Sequence, residues 1–220
     1  MSGRRNLVFA NGEYYHIYNR SVGGAEIFEK EKDTRRALDL LSFYRFNQSL
    51  RYSFYDRLGT EEKKYYLENH TTEPVVDMFA YCLMPNHFHI LLKQNEENGI
   101  RKFLSDSQNG FAKYYNVKNK RFGSVFQSPF KAKHIETDEE FLHVSRYIHL
   151  NPASSFMMNF EELKRNNITS FPLYLSGETG FVNTDFITKI IGSSLKYEKF
   201  VEDQVDYQRR LELIKHLILE

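Results

Sequence analysis

The sequence has one cysteine, no tryptophan and no long apolar run. A single Cys82 excludes an intrachain disulfide and a cysteine zinc cluster, and its apolar neighbours predict a buried thiol in a reducing compartment. No apolar segment approaches the roughly 20 residues needed to span a bilayer, and the first residues lack the apolar core of a signal peptide. We therefore expect a cytoplasmic protein without a membrane role.

The overall charge is also small, with a formal net charge of +1 over 220 residues. That balance argues against a uniformly basic nucleic-acid-binding protein. Aromatic residues are plentiful, with 15 Tyr and 19 Phe, which indicates a globular chain able to form a proper core. The length favours one core with an insertion or a tail.

One segment of the chain is positively charged throughout, because no acidic residue occurs between Asp106 and Glu136. Cations neutralise phosphates and flat rings stack on unpaired bases, so the mixture of both favours single-stranded nucleic acid. A solvated basic loop above core aromatic residues is the alternative. The cations are Lys113, Lys118, Lys120, Arg121, Lys131 and Lys133, and the interleaved rings are Tyr114, Tyr115, Phe122, Phe126 and Phe130.

Hydrophobic periodicity predicts the order of the secondary-structure elements. The predicted elements are a strand at 13–19, a helix at 33–46, strands at 75–83 and 87–93, a helix from the cap residue Asn98 to about Tyr115, and a strand at 130–135. Residues 49–74 are charged and weakly periodic, which indicates an insertion with a short helix. This order predicts an α+β fold with a ferredoxin-like βαββαβ antiparallel sheet and helices on one face.

A further helix follows that unit, because Thr137 and Glu140 form a capping-box pattern. Pro152 disfavours helical geometry at the preceding residue, so we expect this helix to end near Asn151. Loop signals and two helical stretches, at 185–191 and 197–219, complete the chain. We expect a main domain over 1–175 and a C-terminal helical extension over 176–220.

His87 and His89 flank Phe88 directly after the turn formed by residues 84–86. Side chains alternate across a strand, so the two histidines should project to one side while Phe88 enters the core on the other. Two imidazoles on one strand face can hold a divalent ion, which makes phosphodiester chemistry the first hypothesis. A His-x-His pair also arises by chance, so the pair alone does not establish a metal site.

Tyr147 and Asn151 lie four residues apart on the capped helix, a spacing that places both side chains on one face. One could attack a phosphate while the other holds a metal. Tyr115 and Asn119 share this spacing, and a tyrosine of an amphipathic helix can also simply pack on a sheet. Spacing alone does not choose between these readings.

Three segments together resemble a known family. They are 81–92 (YCLMPNHFHILL), 119–131 (NKRFGSVFQSPFK) and 147–152 (YIHLNP). Their order and separations are similar to those of the single-tyrosine HUH transposases, in particular the REP-associated tyrosine transposases. The resemblance covers about residues 10–175, and it implies the βαββαβ fold predicted above, with the following helix as the catalytic helix.

The resemblance implies that His87 and His89 bind a divalent metal and that Tyr147 is the nucleophile. A polar residue one turn later completes the metal site in relatives, often as Gln, and the matching residue here is the shorter Asn151. This ligand set suits Mg²⁺ or Mn²⁺, with Zn²⁺ as an alternative. The implied reaction forms a 5′-phosphotyrosine and a free 3′-hydroxyl, which can later rejoin DNA without ATP. The implied partner is single-stranded or hairpin DNA, and a monomer and a homodimer are both compatible with the sequence.

Two other functions fit parts of the same pattern. A DNA-binding regulatory protein could keep the fold without chemistry, although it would have no need of the two histidines and the tyrosine. A zinc-dependent hydrolase could use a third ligand such as His134 or His143 and a water nucleophile. A covalent protein–DNA adduct would separate all three.

Overall fold

Four antiparallel strands form a single sheet at the centre of the fold. The computed structural model describes residues 7–70, 73–178 and 180–211. The strands are β1 (Tyr14–Arg20), β2 (Val76–Met84), β3 (His87–Gln94) and β4 (Lys131–Ile135), in the spatial order β2-β3-β1-β4. β2 and β3 form the predicted hairpin, in which Met84 pairs with His87 across a two-residue turn.

Two long helices cover one face of this sheet and pack on each other. They are α1 (Glu31–Tyr44) and, after the short α2 (Tyr52–Tyr55) and α3 (Thr60–His70), α4 (Gly99–Lys118). The predicted βαββαβ order is therefore confirmed, and the predicted insertion contains two helices rather than one. None of the helices within the described ranges combines the length and apolarity needed to cross a bilayer.

The start of α4 differs from the prediction in its chemistry. Asn98 does occupy the N-cap position, but its backbone is left-handed and its side chain makes no capping hydrogen bond. The side-chain oxygen of Gln94 instead accepts from the amide of Ile100, at 3.2 Å. A buried glutamine at the end of β3 thus satisfies a helix amide that the sequence assigned to Asn98.

The opposite face of the sheet is covered by α5 (Asp138–Ser154), which packs on β2 and β3. Thr137 caps it as predicted by accepting from the Glu140 amide, whereas the Glu140 carboxylate accepts from the amide of Glu136. The predicted end near Asn151 is wrong, because Pro152 lies inside the helix. Proline removes one backbone donor, but burial of the last helical turn outweighs that loss.

The C-terminal part of the chain folds back onto α5. It contains α6 (Phe160–Leu163), α7 (Phe171–Ser176), α8 (Asp185–Ile191) and α9 (Ser194–Glu202), and residues 205–211 are again helical. α9 packs on α5, α7 and α8. The predicted helix over 197–219 is thus interrupted near 203, and its residues 212–219 lie outside the described ranges. The domain boundary near residue 175 stays a prediction.

A buried chain of hydrogen bonds joins this C-terminal part to α5. His149 is fully buried, and its ring nitrogens contact the hydroxyls of Ser170 and Tyr197, each at 2.8 Å. Tyr197 donates to Ser145, whose own hydroxyl donates to the Leu142 carbonyl. The Tyr197 oxygen must therefore accept from Nδ1–H of His149, and Nε2 accepts from Ser170. Only a neutral imidazole satisfies this arrangement.

Candidate active site

The side of the sheet that faces α5 carries a cluster of imidazole and phenol rings. His87 and His89 both project to this side, with ring centroids 5.2 Å apart, as the strand alternation predicts. Phe88 points to the other side, where it packs among side chains of α1 and α4. On β1, His16 and Tyr18 lie on the histidine side, and Tyr18 pairs directly with His89.

Each of the two predicted ligand histidines has a partner on its Nδ1 atom. Nδ1 of His87 lies 2.7 Å from Oδ1 of Asn86, and Nδ1 of His89 lies 2.9 Å from Nε2 of His16. Metal-binding histidines are usually held by such a bond on the nitrogen that does not face the metal. Such bonds at Nδ1 are compatible with Nε2 as the ligand atom of each histidine.

His16 is the most informative residue that the sequence analysis missed. It is buried, and burial, with a smaller contribution from the charge of Lys133, lowers its pKa to about 4. A neutral His16 can accept at Nε2, so His89 can donate from Nδ1 and keep a lone pair on Nε2. His16 could have been identified only from the strand register, because the pairing of β1 with β3 brings His16 beside His89.

Tyr147 contacts this cluster from α5. Its ring centroid lies 5.6 Å from that of His89 and 6.0 Å from that of His16, in both cases edge to face. The side chain is partly exposed and lines a cleft of about 170 Å³ between α5 and the last described residues. The structure therefore brings together the tyrosine and the two histidines that the sequence singled out, at a position reached from the surface.

Asn151 lies one turn after Tyr147 and is almost buried. Its amide nitrogen donates to the Tyr147 carbonyl at 2.8 Å, so its side-chain oxygen is the atom left for a ligand role. Within the described residues, no group of three or more His, Cys, Asp or Glu side chains is placed to hold a metal ion. A metal at this site would depend on two imidazoles and an amide oxygen.

The third ligands considered for a zinc hydrolase lie elsewhere. His134 is on β4 but belongs to the opposite side of the sheet from His87, and it bonds to Glu13 at 2.8 Å. His143 is exposed on α5 and contacts Arg146. Neither joins the two strand histidines, so the geometry does not support that alternative.

The predicted cations divide into two groups. Lys118 pairs with Asp33, a buried carboxylate of α1, and Lys133 pairs with Glu140. Asp33 is 85 residues away from Lys118, and Glu140 lies just beyond the end of the basic segment, so the charge pattern within the segment did not reveal either partner. For the other four, no ion pair with another described residue is found. They are Lys113, Lys120, Arg121 and Lys131.

Two cations border the ring cluster itself. Lys131 places its ammonium 6.0 Å from the ring centroid of Tyr18, the residue that pairs with His89. Arg20, which the sequence analysis did not include, is exposed and pairs with His87 across β1 and β3. The exposed side chains next to the cluster thus carry positive charge, which favours an anionic ligand.

Comparison with known protein families gives a match. Residues 47–151, which include both strand histidines, Tyr147 and Asn151, match the family model of IS200-like transposases. The matched residues span the insertion, β2, β3, α4, β4 and most of α5. Over those residues the chain is similar to the IS200-like transposases.

Of two solved structures that match this chain, the first supports a similar fold. One is a REP-associated tyrosine transposase bound to a REP hairpin, with 11% identity, a TM-score of 0.51, and coverage of 82% of this chain and 90% of that chain. The other is a proposed transposase from Deinococcus radiodurans, with 12% identity, a TM-score of 0.36, and coverage of 67% and 95%. The likeness to the first structure concerns the fold alone. Comparison with curated protein sequences gives no significant match.

Proposed function

We propose that the protein is a single-tyrosine DNA transposase that cleaves and rejoins single-stranded or hairpin DNA through Tyr147. The observation that carries this proposal is the contact of the Tyr147 ring with His89 and His16, with His87 alongside on the same strand. A tyrosine in a cleft, beside two oriented imidazoles and cations, suits attack on a phosphodiester. The family match supports transposition as the biological context.

His87, His89 and Asn151 would hold a divalent cation, Mg²⁺ or Mn²⁺. Two imidazole nitrogens and an amide oxygen form a mixed donor set that these ions accept, and the partners on both Nδ1 atoms fit such a role. When bound, the ion would polarise a phosphate oxygen and offset the charge that develops during attack. His16 supports the set by remaining neutral and accepting from His89.

In the proposed reaction, the Tyr147 oxygen forms a bond to phosphorus while the bond from phosphorus to the 3′-oxygen breaks. The phenol loses its proton, and the leaving 3′-oxygen gains one to become a hydroxyl. The 5′-phosphate stays on Tyr147 as a phosphodiester, which conserves the energy of the broken bond. Attack by a 3′-hydroxyl on that phosphotyrosine reverses the step and joins strands.

The DNA would lie across the positive side of the ring cluster. Arg20 and Lys131 border the cluster, and Lys113, Lys120 and Arg121, on α4 and the loop that follows it, would provide further phosphate contacts. A solved relative in fold is bound to a REP hairpin, which supports a hairpin with a single-stranded flank as substrate. Lys118 and Lys133 are assigned smaller roles because acidic side chains already pair with them.

Covalent adduct formation tests the proposal. The full chain would be incubated with Mn²⁺ or Mg²⁺ and labelled hairpin oligonucleotides carrying single-stranded flanks, taken from the DNA beside its own gene. We expect a labelled band that migrates more slowly than the free protein on a denaturing gel. Tyr147→Phe should abolish it, whereas the matched control Tyr115→Phe should retain it, because Tyr115 lies on α4.

Separate results would contradict separate parts of this assignment. An adduct that survives Tyr147→Phe would exclude Tyr147 as the nucleophile. An adduct that forms unchanged after His87→Ala and His89→Ala, or in the presence of a chelator, would exclude the proposed metal site. Specific DNA binding without any adduct would favour the regulatory alternative.

A further inference from the structure

Phe122 is exposed in a way that distinguishes it from the other rings of the basic segment. Its relative exposure is 95%, the highest among the exposed large hydrophobic residues of the described chain. The remaining rings of that segment pack against the hydrophobic core, at least in part. These are Tyr114, Tyr115, Phe126 and Phe130.

The loop that carries Phe122 is held in place by hydrogen bonds on both sides of the ring. The Arg121 amide donates to the Asn116 carbonyl at 3.0 Å, and the Asn116 side chain donates to the Gly123 carbonyl at 2.9 Å. Arg121 also donates from its guanidinium to the Ser124 carbonyl at 3.0 Å. The ring is therefore presented to solvent by a defined turn.

Two cations lie next to this ring in the chain. Lys120 and Arg121 immediately precede it, and the Arg121 guanidinium lies 5.7 Å from the ring centroid of Tyr115. A surface that binds an apolar protein partner is usually depleted of charge at its centre. An exposed ring next to two cations suits an unpaired base with its phosphates.

The position of the loop connects it to the candidate active site. The Gln127 amide, at the end of the loop, donates to the Arg20 carbonyl at 2.8 Å, and the Val22 amide donates to the Val125 carbonyl at 2.9 Å. Arg20 pairs with His87 across the sheet. The loop is thus attached at the end of the sheet where His87 lies.

We infer that Phe122 is a stacking site for an unpaired DNA base in the strand that flanks the reacting phosphate. This inference rests on the proposed function, and it assigns the ring a recognition role that is separate from the chemistry at Tyr147. Lys120 and Arg121 hold the phosphates on either side of the stacked base. Because every base offers a flat face, the site tolerates any sequence.

Binding of oligothymidylate by the full chain tests the inference, with fluorescence anisotropy at several salt concentrations. Phe122→Ala should weaken binding by about 5- to 150-fold, the range measured for loss of one stacked base, and Phe122→Trp should restore it. The salt dependence should stay unchanged, because the ring carries no charge. Phe54→Ala is the matched control, since Phe54 is an exposed ring on α2.

An abasic oligonucleotide of equal length isolates the base contact, since it keeps the phosphates and lacks the rings. The wild-type chain and Phe122→Ala should bind it equally. Equal affinity of the two proteins for oligothymidylate would overturn the inference, even if Tyr147 still forms the adduct and the proposed function stands. If the wild-type chain formed no adduct and bound no single-stranded DNA, the proposed function would be refuted, and this inference with it.

Discussion

Mild acid should destabilise the protein through His149. Burial lowers the pKa of this imidazole to about 3, whereas the same group in the unfolded chain titrates near 6.5. Between these values the unfolded chain binds the proton and the folded one does not, so stability falls as the pH decreases. The loss approaches about 1.4 kcal/mol per pH unit, or about 2 kcal/mol between about pH 7 and pH 5.

Urea unfolding at several pH values measures this loss. The free energy of unfolding would be compared between the wild-type chain and His149→Gln, because Gln keeps a donor and an acceptor but does not titrate. Carboxylates and His16, whose pKa of about 4 has the same sign of effect, act in both proteins and cancel in the difference. The wild-type chain should lose about 2 kcal/mol more than the variant over this range. Parallel pH profiles would show that His149 is not buried as a neutral group.

Three further substitutions probe contacts that stabilise the fold away from the candidate active site. Gly99→Ala should destabilise by about 1–3 kcal/mol in urea unfolding, because a Cβ there would lie 2.5 Å from the carbonyl oxygen of the residue before β2. Tyr197→Phe should cost about 1–3 kcal/mol by leaving Nδ1–H of His149 without an acceptor, and a loss below about 0.5 kcal/mol would contradict the assigned hydrogen-bond direction. Lys118→Gln should lower the melting temperature, because the buried carboxylate of Asp33 would lose the cation that compensates its charge. Lys120→Gln should leave the melting temperature unchanged and reduce only the DNA affinity.

Local patterns predicted much of this structure because they depend on neighbouring residues. Strand alternation placed His87 and His89 on one side, the turn residues predicted the β2–β3 hairpin, and Thr137 marked the start of α5. Each of these features is decided within a few residues of the chain. The family resemblance then placed Tyr147 in the same predicted site as His87 and His89.

Features that depend on contacts between distant segments were not predictable in this way. The Asp33 partner of Lys118 is 85 residues away, and the His89 partner of His16 is 73 residues away. Pro152 remains helical because the surrounding C-terminal segments bury the end of α5. A local rule for proline contains no information on that burial.

The two-residue turn between β2 and β3 limits where this chain can change in length. β3 pairs with a strand on each side, so an insertion between Met84 and His87 that shifted β3 by one residue would change its register with both neighbours. Such a shift would exchange the two faces of β3, directing Phe88 toward α5 and the imidazoles into the apolar layer under α1 and α4. Length variation should therefore accumulate in the connection that contains α2 and α3, while the hairpin keeps a fixed length.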